Sequence, residues 1–551
     1  MPSGIGYSSL MLKKSCWKRG RHFCSASLMT LSLFWFSLST GTASANDIYI
    51  AQNATGSANG SSCANAFGVT FFNTSGNWGS GASQIGPETT VHLCGTVSTA
   101  LTSHGSGTSG NPITILFESG AKISMPACPS TGCLDVSGSS YIVINGGTAC
   151  GHINGPSVAA TPCNGIVEST LNGTPGYTCT AGACSSQANT NGVNLCSGCE
   201  LKNLTIRNMY VKDPGNLSDD ASNCGCQGVI GNPGHIHNLI LHDNLWSVTM
   251  GIGSSLEIDH ISCYNTDHCV AVIGPGSGGS FHDSEDYSPY NWDTTDNVHH
   301  HDGIHLYNPS GSTQTASNFQ IYNNYFWGDW GGSNTTAYMF IEGNMSSIVA
   351  FNNLMIPCNV TDAGTCHSIS GGDGWESFHL NGGSVGANNN RLWNNTLIGN
   401  FGWNYGQTNF GFENNVFSSQ EVDLIDQTSP SFPFSLASGA VDYNVYDGTF
   451  SVRFHSGGYS SLSSWRSASG QEAHSITGSA NLNTYGVPGT GSAAKGAAAN
   501  LTAQCSTYPA LCSDILGNPR PATGAWDAGA YVVGGAGSTV LPPTGMTVIV
   551  K

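Results

Sequence analysis

The chain has 551 residues, of which only 9% are charged, and its formal net charge is −18. This acidic balance argues against nucleic acid and anionic membranes as partners, because both are bound through basic surfaces. The 73 glycines favour many short strands joined by turns.

The N-terminus has the layout of a secretory signal peptide. Five basic residues precede the apolar stretch Leu28–Leu38, and Ala43-Ser44-Ala45 fits a cleavage site. The apolar stretch is too short for a membrane-spanning helix. We therefore predict that residues 1–45 are removed, which takes the formal charge from −18 to −23. The mature protein would be secreted or held at the cell surface, without membrane insertion.

Short strands are predicted early in the mature chain. Asp47–Ala51, Thr90–Cys94 and Ile113–Phe117 are apolar and alternating, and Ser140–Gly147 is a strand that ends in a turn. Residues 148–200 are rich in cysteine and irregular, so we predict that they are insertions at one turn.

One short phrase then recurs, in which an Asn pair separates two apolar stretches. It is clearest at residues 318–326, 347–355, 390–398 and 409–417. Alternation with period two predicts strands, and Asn tolerates the left-handed backbone of a tight bend. Strand, Asn bend and strand at intervals of a few dozen residues indicate an all-β solenoid, a parallel β-helix. We expect Asn323, Asn352, Asn394 and Asn414 to form a ladder along one edge.

The pattern fades towards the C-terminus. Residues 449–533 are predicted to be terminal coils or a cap, which a solenoid needs to cover its open end. Residues 534–551 form a tail in which Leu541–Gly545 resembles a cell-wall sorting pentapeptide, but the long apolar segment of such signals does not follow. The expected organisation is one β-helix domain over residues 46–533, and we expect a monomer.

Eighteen cysteines remain after cleavage, and many are close neighbours in sequence. In an exported protein such spacing predicts local disulfides. The expected pairs are Cys128/Cys133, Cys179/Cys184, Cys263/Cys269, Cys358/Cys366 and Cys505/Cys512. An alternative is a zinc site formed by Cys196, Cys199, Cys224 and Cys226.

Three segments resemble the secreted right-handed parallel β-helix proteins of the pectate-lyase-like superfamily. Asp47–Cys63 is similar to their strand-then-glycine opening, and Ser106–Ile115 is similar to their second-coil signature. Their closing motif is matched by Asp514, Gly517, Arg520, Asp527, Gly529, Ala530 and Tyr531, with Val532 where Glu often follows. The resemblance implies the fold but no particular activity, since this fold carries lyases, hydrolases, epimerases and adhesive spikes. Asn265-Thr266-Asp267 also resembles the first motif of polygalacturonases, whose other motifs are absent.

The region between Lys212 and Arg391 has no Lys or Arg, yet it holds eighteen acidic residues and twelve histidines. Carboxylates of one sign with histidines favour acid–base chemistry or a divalent cation, with Ca²⁺ as a possibility. An acidic coat on an extracellular protein is the alternative. Asp293, Asp296 and His299 are candidate metal ligands; no cofactor is firmly indicated.

Within this region the segment His301–Tyr307 predicts a strand whose Ile304 and Leu306 face the core. His301, Gly303 and His305 would then face outward, and Gly303 would leave room for a ligand. His305, Glu342 and His379 are spaced by 37 residues, which suggests one lateral position on successive coils.

The candidate catalytic residues are Asp302, His305, Asp267, Glu342 and His301, with Asp302 and either Asp267 or Glu342 as the acid–base carboxylates. His379, Trp292, Tyr307, Trp327 and Trp330 are candidates for substrate binding, because sugar rings stack on aromatic faces. The leading hypothesis is an enzyme that hydrolyses an extracellular polysaccharide. A cation-dependent polysaccharide lyase and a non-catalytic surface protein are the alternatives.

Overall fold

The computed structural model describes residues 46–150, 163–174, 190–211, 225–287, 301–308, 314–328, 330, 337–357, 376–382, 387–398, 402, 404–418, 422–423, 434–454 and 457–536. Most of these residues belong to short strands or to the bends between them. Among them no helix is long and apolar enough to cross a membrane.

The strands are numbered in chain order. The first fourteen are β1 (Asp47–Ala51), β2 (Phe67–Gly68), β3 (Thr90–Cys94), β4 (Thr96–Val97), β5 (Leu101–Thr102), β6 (Ile113–Phe117), β7 (Lys122–Met125), β8 (Leu134–Asp135), β9 (Ile142–Asn145), β10 (Gly165–Ser169), β11 (Asn191–Leu195), β12 (Glu200–Lys202), β13 (Leu204–Arg207) and β14 (Gln227–Gly231). The middle strands are β15 (His235–Gly251), β16 (Glu257–Ile273), β17 (Gly276–Ser277), β18 (Ser280–His282), β19 (Glu285–Tyr287), β20 (Asp302–Tyr307), β21 (Ala316–Ser317), β22 (Gln320–Tyr322), β23 (Tyr325–Gly328), β24 (Ala337–Glu342), β25 (Met345–Ser346), β26 (Val349–Phe351), β27 (Leu354–Pro357) and β28 (Glu376–Asn381). The last are β29 (Ala387–Asn388), β30 (Arg391–Trp393), β31 (Thr396–Ile398), β32 (Asn404–Tyr405), β33 (Gln407–Thr408), β34 (Phe410–Glu413), β35 (Val416–Ser418), β36 (Val422–Asp423), β37 (Leu436–Asp442), β38 (Val445–Asp447), β39 (Val452–Phe454), β40 (Gly457–Tyr459) and β41 (Ile476–Thr477).

Helical structure is sparse. Within the described ranges the α-helices are α1 (Val69–Phe72) and α2 (Leu462–Ser469). Single 3₁₀ turns are formed by Cys63–Asn65, Ser75–Asn77, Thr502–Ser506 and Pro509–Cys512.

The central coils have three faces. The first face contains β12, β18, β22, β26, β30 and β34, the second contains β13, β19, β23, β27, β31 and β35, and the third contains β14, β20, β24, β28 and β32. The long strands β15 and β16 pass through all three, and each strand pairs in parallel with its counterpart on the next coil. Because parallel crossovers are almost always right-handed, this is a right-handed parallel β-helix, as the repeat and the resemblance predicted.

The core is built from apolar side chains stacked coil upon coil. Ile236, Ile258, Phe281, Ile321, Ala350, Leu392 and Phe412 occupy equivalent positions on the first face, and all are buried. On the third face Val248, Val270, Ile304, Met339 and Phe378 do the same. Each coil therefore buries its apolar side only by stacking on its neighbours, which fixes the register of the polar residues between them.

The Asn pairs form the bends between the first and second faces. Asn323, Asn352, Asn394 and Asn414 have φ of 56°, 55°, 52° and 64°, the left-handed region that Asn tolerates. The predicted ladder is present, with Asn352 donating to Asn323 and Asn414 donating to Asn394, both at 3.2 Å. The second Asn of each pair forms a parallel, fully buried ladder, which was not predicted. It runs through Asn324, Asn353, Asn395, Asn415 and Asn444.

The C-terminal segment packs along the side of the coils. The Arg520 guanidinium donates to Asn352 Oδ1 and to the Gly529 carbonyl, and Asn394 donates to the Asp527 carbonyl. Burial lowers the pKa of Arg520 to about 10, against the opposing effect of Asp514 and Asp527. The closing motif thus docks on the outer Asn ladder.

Disulfides connect neighbouring segments. The predicted pairs Cys128–Cys133, Cys263–Cys269 and Cys505–Cys512 are confirmed, and Cys63–Cys94, Cys150–Cys163 and Cys196–Cys199 are also present. The Cys196–Cys199 bond contradicts the alternative of a four-thiolate zinc site, because a disulfide leaves no thiolates to bind metal. The predicted pairs Cys179/Cys184 and Cys358/Cys366 lie outside the described residues.

Two strands lie within residues 148–200, which were predicted to be insertions. Strand β10 pairs with β7 and β13, and β11 pairs with β8 and β14. This region therefore supplies strands of a regular coil. The period-two signal was weak there because Gly and Asn occupy strand positions in β10 and β11.

Candidate functional site

The third face brings five ionisable side chains into one connected group, here called the third-face cluster. Its members are Asp267, His268, Asp302, His305 and Glu342. The first two lie in β16, the next two in β20 and the last in β24, three successive coils. The register places His268 opposite Asp302, and a left-handed bend at Asn265 (φ 50°) carries the chain onto this face.

The contacts run through the cluster without a break. Asp267 Oδ2 accepts from Trp246 Nε1 at 3.2 Å and lies 2.9 Å from His268 Nδ1. His268 Nε2 is 3.3 Å from both Asp302 Oδ2 and His305 Nδ1. His305 Nε2 is 3.5 Å from Glu342 Oε2. Two imidazoles therefore stand between three carboxylates, and the two imidazoles share a hydrogen bond.

Burial gives the cluster an inner and an outer end. Asp302 is fully buried and its Oδ1 accepts from the Ala337 backbone N–H at 3.1 Å. Asp267 and His268 are also buried, His305 is 8% exposed, and the Glu342 side chain is 29% exposed. The ring of His305 stacks on Phe340 with centroids 4.5 Å apart. Solvent and ligands can thus meet the cluster at Glu342 and the edge of His305.

A second buried carboxylate of the chain shows what a structural arrangement looks like. Glu168 lies between Lys122 Nζ at 3.0 Å and Arg207 Nη2 at 2.7 Å. Burial by itself would raise the pKa of Glu168, but bonds from Ser124, Lys122 and Arg207 lower the pKa to about 2. Permanent cations hold that charge fixed. The third-face cluster has histidines in those roles, and imidazoles change their charge near neutral pH.

Three atoms of the cluster could hold a metal ion. One atom each of His268, Asp302 and His305 lies within 4.8 Å of the others. Two nitrogens and one carboxylate oxygen suit Zn²⁺ or a similar ion, whereas Ca²⁺ prefers oxygen ligands alone. These three residues therefore do not fit the predicted Ca²⁺. The other metal candidates, Asp293, Asp296 and His299, and the substrate-binding candidate Trp292 lie outside the described residues.

The lateral alignment expected for His305, Glu342 and His379 is wrong. His305 stands opposite Phe340, which stands opposite His379, whereas Glu342 stands between Tyr307 and Asn381. The offset is 35 residues from β20 to β24 and 39 from β24 to β28, so the constant spacing of 37 does not follow the register. Glu342 nevertheless contacts His305, because both side chains leave the same face.

The expected outward orientation of His301 and Gly303 is also wrong. His301 is fully buried, and its Nε2 lies 2.5 Å from the Trp330 carbonyl oxygen. A Cβ added to Gly303 would lie 2.4 Å from the ring of Phe326, so the space beside Gly303 is filled by the core. His301 directly precedes β20, whose first five residues are all buried, so strict alternation does not hold there.

The aromatic candidates divide by burial. Trp327 donates to Glu285 at 3.1 Å and packs with Ile515 and Tyr531 of the C-terminal segment, while Trp330 is fully buried. Neither ring therefore offers a free face. Tyr307 is partly exposed, with its ring centroid 5.5 Å from that of His305, and His379 is partly exposed beside Phe340.

His268 and Trp246 were missed by the sequence analysis. His268 directly follows the candidate Asp267 and lies 37 residues before His305, the spacing already seen between other candidates. That spacing was the available signal, although the register sets His268 opposite Asp302 and not opposite His305. Trp246 carried no such signal in the sequence, because its hydrogen bond to Asp267 joins residues of two different coils.

No protein-family model matches the chain, and no curated protein sequence matches it. Solved structures are similar in fold. They include the pectate lyase Pel9A (15% identity, TM-score 0.35, covering 71% of this chain and 80% of that one) and an alginate lyase from Paenibacillus sp. str. FPU-7 (12%, 0.30, 73% and 91%). A GH136 lacto-N-biosidase from Eubacterium ramulus is a third (9%, 0.33, 73% and 64%).

Proposed function

We propose that this protein is an exported carbohydrate-active enzyme that hydrolyses an extracellular polysaccharide at the third-face cluster. The observation that carries the proposal is the unbroken series of contacts from Asp267 to Glu342 through two imidazoles. Glu168, by contrast, is held by the fixed cations Lys122 and Arg207.

The burial gradient divides the roles. Glu342 lies at the exposed end, so it would exchange protons with the glycosidic oxygen and with water, and the buried His305 Nε2 would exchange a proton with Glu342. His268 and Asp302 face Nδ1 of His305, where a carboxylate stabilises the imidazolium that forms when Nε2 takes a proton. Asp302 is too deeply buried to touch a sugar, so it is a positioning residue, and Asp267 acts likewise on His268.

The surroundings of the exposed end suit an extended polymer. Tyr307, Glu342 and Asn381 stand at equivalent positions on three coils, which are spaced about 4.8 Å apart. His305 and His379 flank Phe340 in the neighbouring row. Such rows repeat polar and aromatic groups along the solenoid axis, in the way that a chain of sugars repeats hydroxyls and ring faces.

A metal-dependent lyase is the second candidate. It is favoured by the His268, Asp302 and His305 donor set, which could hold a Zn²⁺-like ion beside the exposed end. A lyase leaves a carbon–carbon double bond in the product, whereas hydrolysis adds water across the cleaved bond. The two reactions can therefore be separated by product absorbance.

The test is a screen of neutral and acidic polysaccharides with the purified mature chain, following both reducing ends and ultraviolet absorbance. We expect new reducing ends without unsaturation, and a loss of about 10²–10⁴-fold in Glu342→Gln. Glu118→Gln is the matched control, because Glu118 is also partly exposed and lies 2.6 Å from a histidine, His92. Equal losses in both variants, or no cleavage of any polymer, would contradict the proposal.

A further inference from the structure

A second group of histidines and carboxylates lies on the first face, away from the proposed catalytic site. His235 and His237 are two residues apart on β15, so their side chains leave the same side, and their rings stack with centroids 4.1 Å apart. Glu200 on the preceding coil stands opposite His235, and Asp259 on the following coil stands opposite His237. We call Glu200, His235, His237 and Asp259 the first-face cluster.

Each histidine contacts the carboxylate that stands opposite the other histidine in the strand register. His237 Nε2 lies 3.0 Å from Glu200 Oε1, and His235 Nε2 lies 2.6 Å from Asp259 Oδ2. Donor atoms of Glu200, His235 and His237 lie within 4.8 Å of one another, and those of His235, Glu257 and Asp259 do so as well. Tetrahedral Zn²⁺ at about 2.1 Å from each ligand separates its donors by about 3.4 Å. Small side-chain movements would therefore suffice to enclose an ion.

We propose that the first-face cluster binds a divalent transition metal of the Zn²⁺ class, with His235 and His237 as nitrogen ligands and Glu200 as the carboxylate ligand. Two imidazoles with a carboxylate form a set that Zn²⁺ accepts and Ca²⁺ does not favour. The ion would join two successive coils through β12 and β15. The ion would stabilise the stacking of the coils and would take no part in the proposed hydrolysis.

Charge and exposure support this assignment. The His235 side chain is 38% exposed, so an ion in solution can reach it. Lys202 is the competing cation, with Nζ 2.6 Å from Glu200 Oε1.

The two clusters lie on different faces of the same strand. In β16 the chain turns at His260 (φ 52°) and again at Asn265 (φ 50°) between Asp259 and Asp267. The proposed metal site is thus independent of the third-face cluster and of its chemistry.

The test is titration of Zn²⁺ into the purified mature chain by isothermal calorimetry. The double variant His235→Gln, His237→Gln is expected to bind one Zn²⁺ fewer than the wild type, while His305→Gln keeps this equivalent. Zn²⁺ at 100-fold above its Kd should raise Tm by about 2–3 °C through this site, and Ca²⁺ should not. Unchanged stoichiometry in the double variant would overturn the proposal. Circular dichroism confirms that each variant is folded.

Two further variants separate a built site from adventitious binding. Lys202→Met should tighten Zn²⁺ binding several-fold, because the ammonium group no longer competes for Glu200; weaker binding would contradict the assignment. His92→Gln is the matched control, since His92 also lies beside two carboxylates, at 3.3 Å from Asp47 and 2.6 Å from Glu118. Loss of the same equivalent in His92→Gln would mean that Zn²⁺ binds surface histidines indiscriminately.

Discussion

The two clusters use the same residue types and share strand β16, but they connect these residues differently. On the first face each histidine has its own carboxylate, His235 with Asp259 and His237 with Glu200. On the third face His268 and His305 contact each other, so all the members form one chain of contacts. Separate, partly exposed pairs can exchange hydrogen bonds for a metal ion, whereas in a buried, continuous chain of contacts a change of charge on one imidazole acts on every carboxylate beside it. The comparison teaches that connectivity and burial, more than composition, separate the two proposed roles.

The largest expected effect tests whether the third-face chain works as a unit. In Asp302→Asn the amide oxygen can still accept the Ala337 N–H, but the negative charge beside His268 and His305 is lost. We expect kcat on the cleaved polysaccharide to fall about 10²–10⁴-fold, with KM nearly unchanged. Asp447→Asn is the control, because Asp447 also accepts one backbone N–H, from Ala480 at 3.0 Å. A matching fall in the control, or an unchanged kcat in Asp302→Asn, would break the comparison.

The next effect concerns the structural carboxylate that neither cluster resembles. Glu168→Gln leaves Lys122 and Arg207 beside a neutral group. We therefore expect the free energy of unfolding at pH 7 to fall by about 2–3 kcal/mol. This loss is smaller than that for a fully buried ion pair, because both cations are about one-third exposed. Since the pKa of Glu168 is lowered to about 2 in the folded protein, its contribution is present above about pH 4 and is lost as pH falls towards 2. Denaturant unfolding at pH 2 and pH 7 measures both values. An equal difference between wild type and variant at pH 2 and pH 7 would contradict the fixed-charge interpretation.

A smaller effect, this time a gain in stability, is expected on replacing Asp286. Its buried carboxyl lies in β19 on the second face, between the first and third faces that carry the two clusters. Burial, and secondarily the neighbouring Glu285, raise its pKa well above the usual value, although the Tyr287 backbone N–H opposes this. An acid whose pKa is raised by folding loses stability as pH rises above its unfolded value. Asp286→Asn removes this cost, so we expect the variant to gain about 1 kcal/mol at pH 7 and nothing at pH 3. A variant less stable than wild type at pH 7 would show that the ionised carboxylate is needed.

Much of the fold could be predicted from the sequence, because each coil carries its own Asn bend and alternating strands. The site was harder. Asp267, Asp302, His305 and Glu342 were chosen as candidates and do lie together, but the register between coils depends on loop lengths, and the offsets of 35 and 39 residues could not be read locally. His268 was missed because its role arises from contacts to two coils. Trp327 was mistaken for an open ring because the residues that cover it, Ile515 and Tyr531, lie far along the chain.

The smallest expected effect concerns the ion pair of Asp259 and His235 on the first face. It is measured on protein from which a chelator has removed any bound metal. Burial alone would raise the pKa of Asp259, but bonds from His235 and His260 hold it well below its usual range; the bond to Asp259 raises the pKa of His235. The contribution of Asp259 is lost as pH falls below about 4, and that of His235 is lost as pH rises through its raised pKa above about 6.5. Glu257, which lies 4.0 Å from His235, and His282 also affect stability over this pH range.

Asp259→Asn should therefore lower the free energy of unfolding most between about pH 4 and 6.5. The loss should be at most about 1 kcal/mol, because His235 is partly exposed. The test is Tm measured against pH for the wild type and for Asp259→Asn. A difference in Tm that grows steadily towards pH 9 would mean that Asp259 and His235 do not form an ion pair. The first-face histidines would then be held by packing instead.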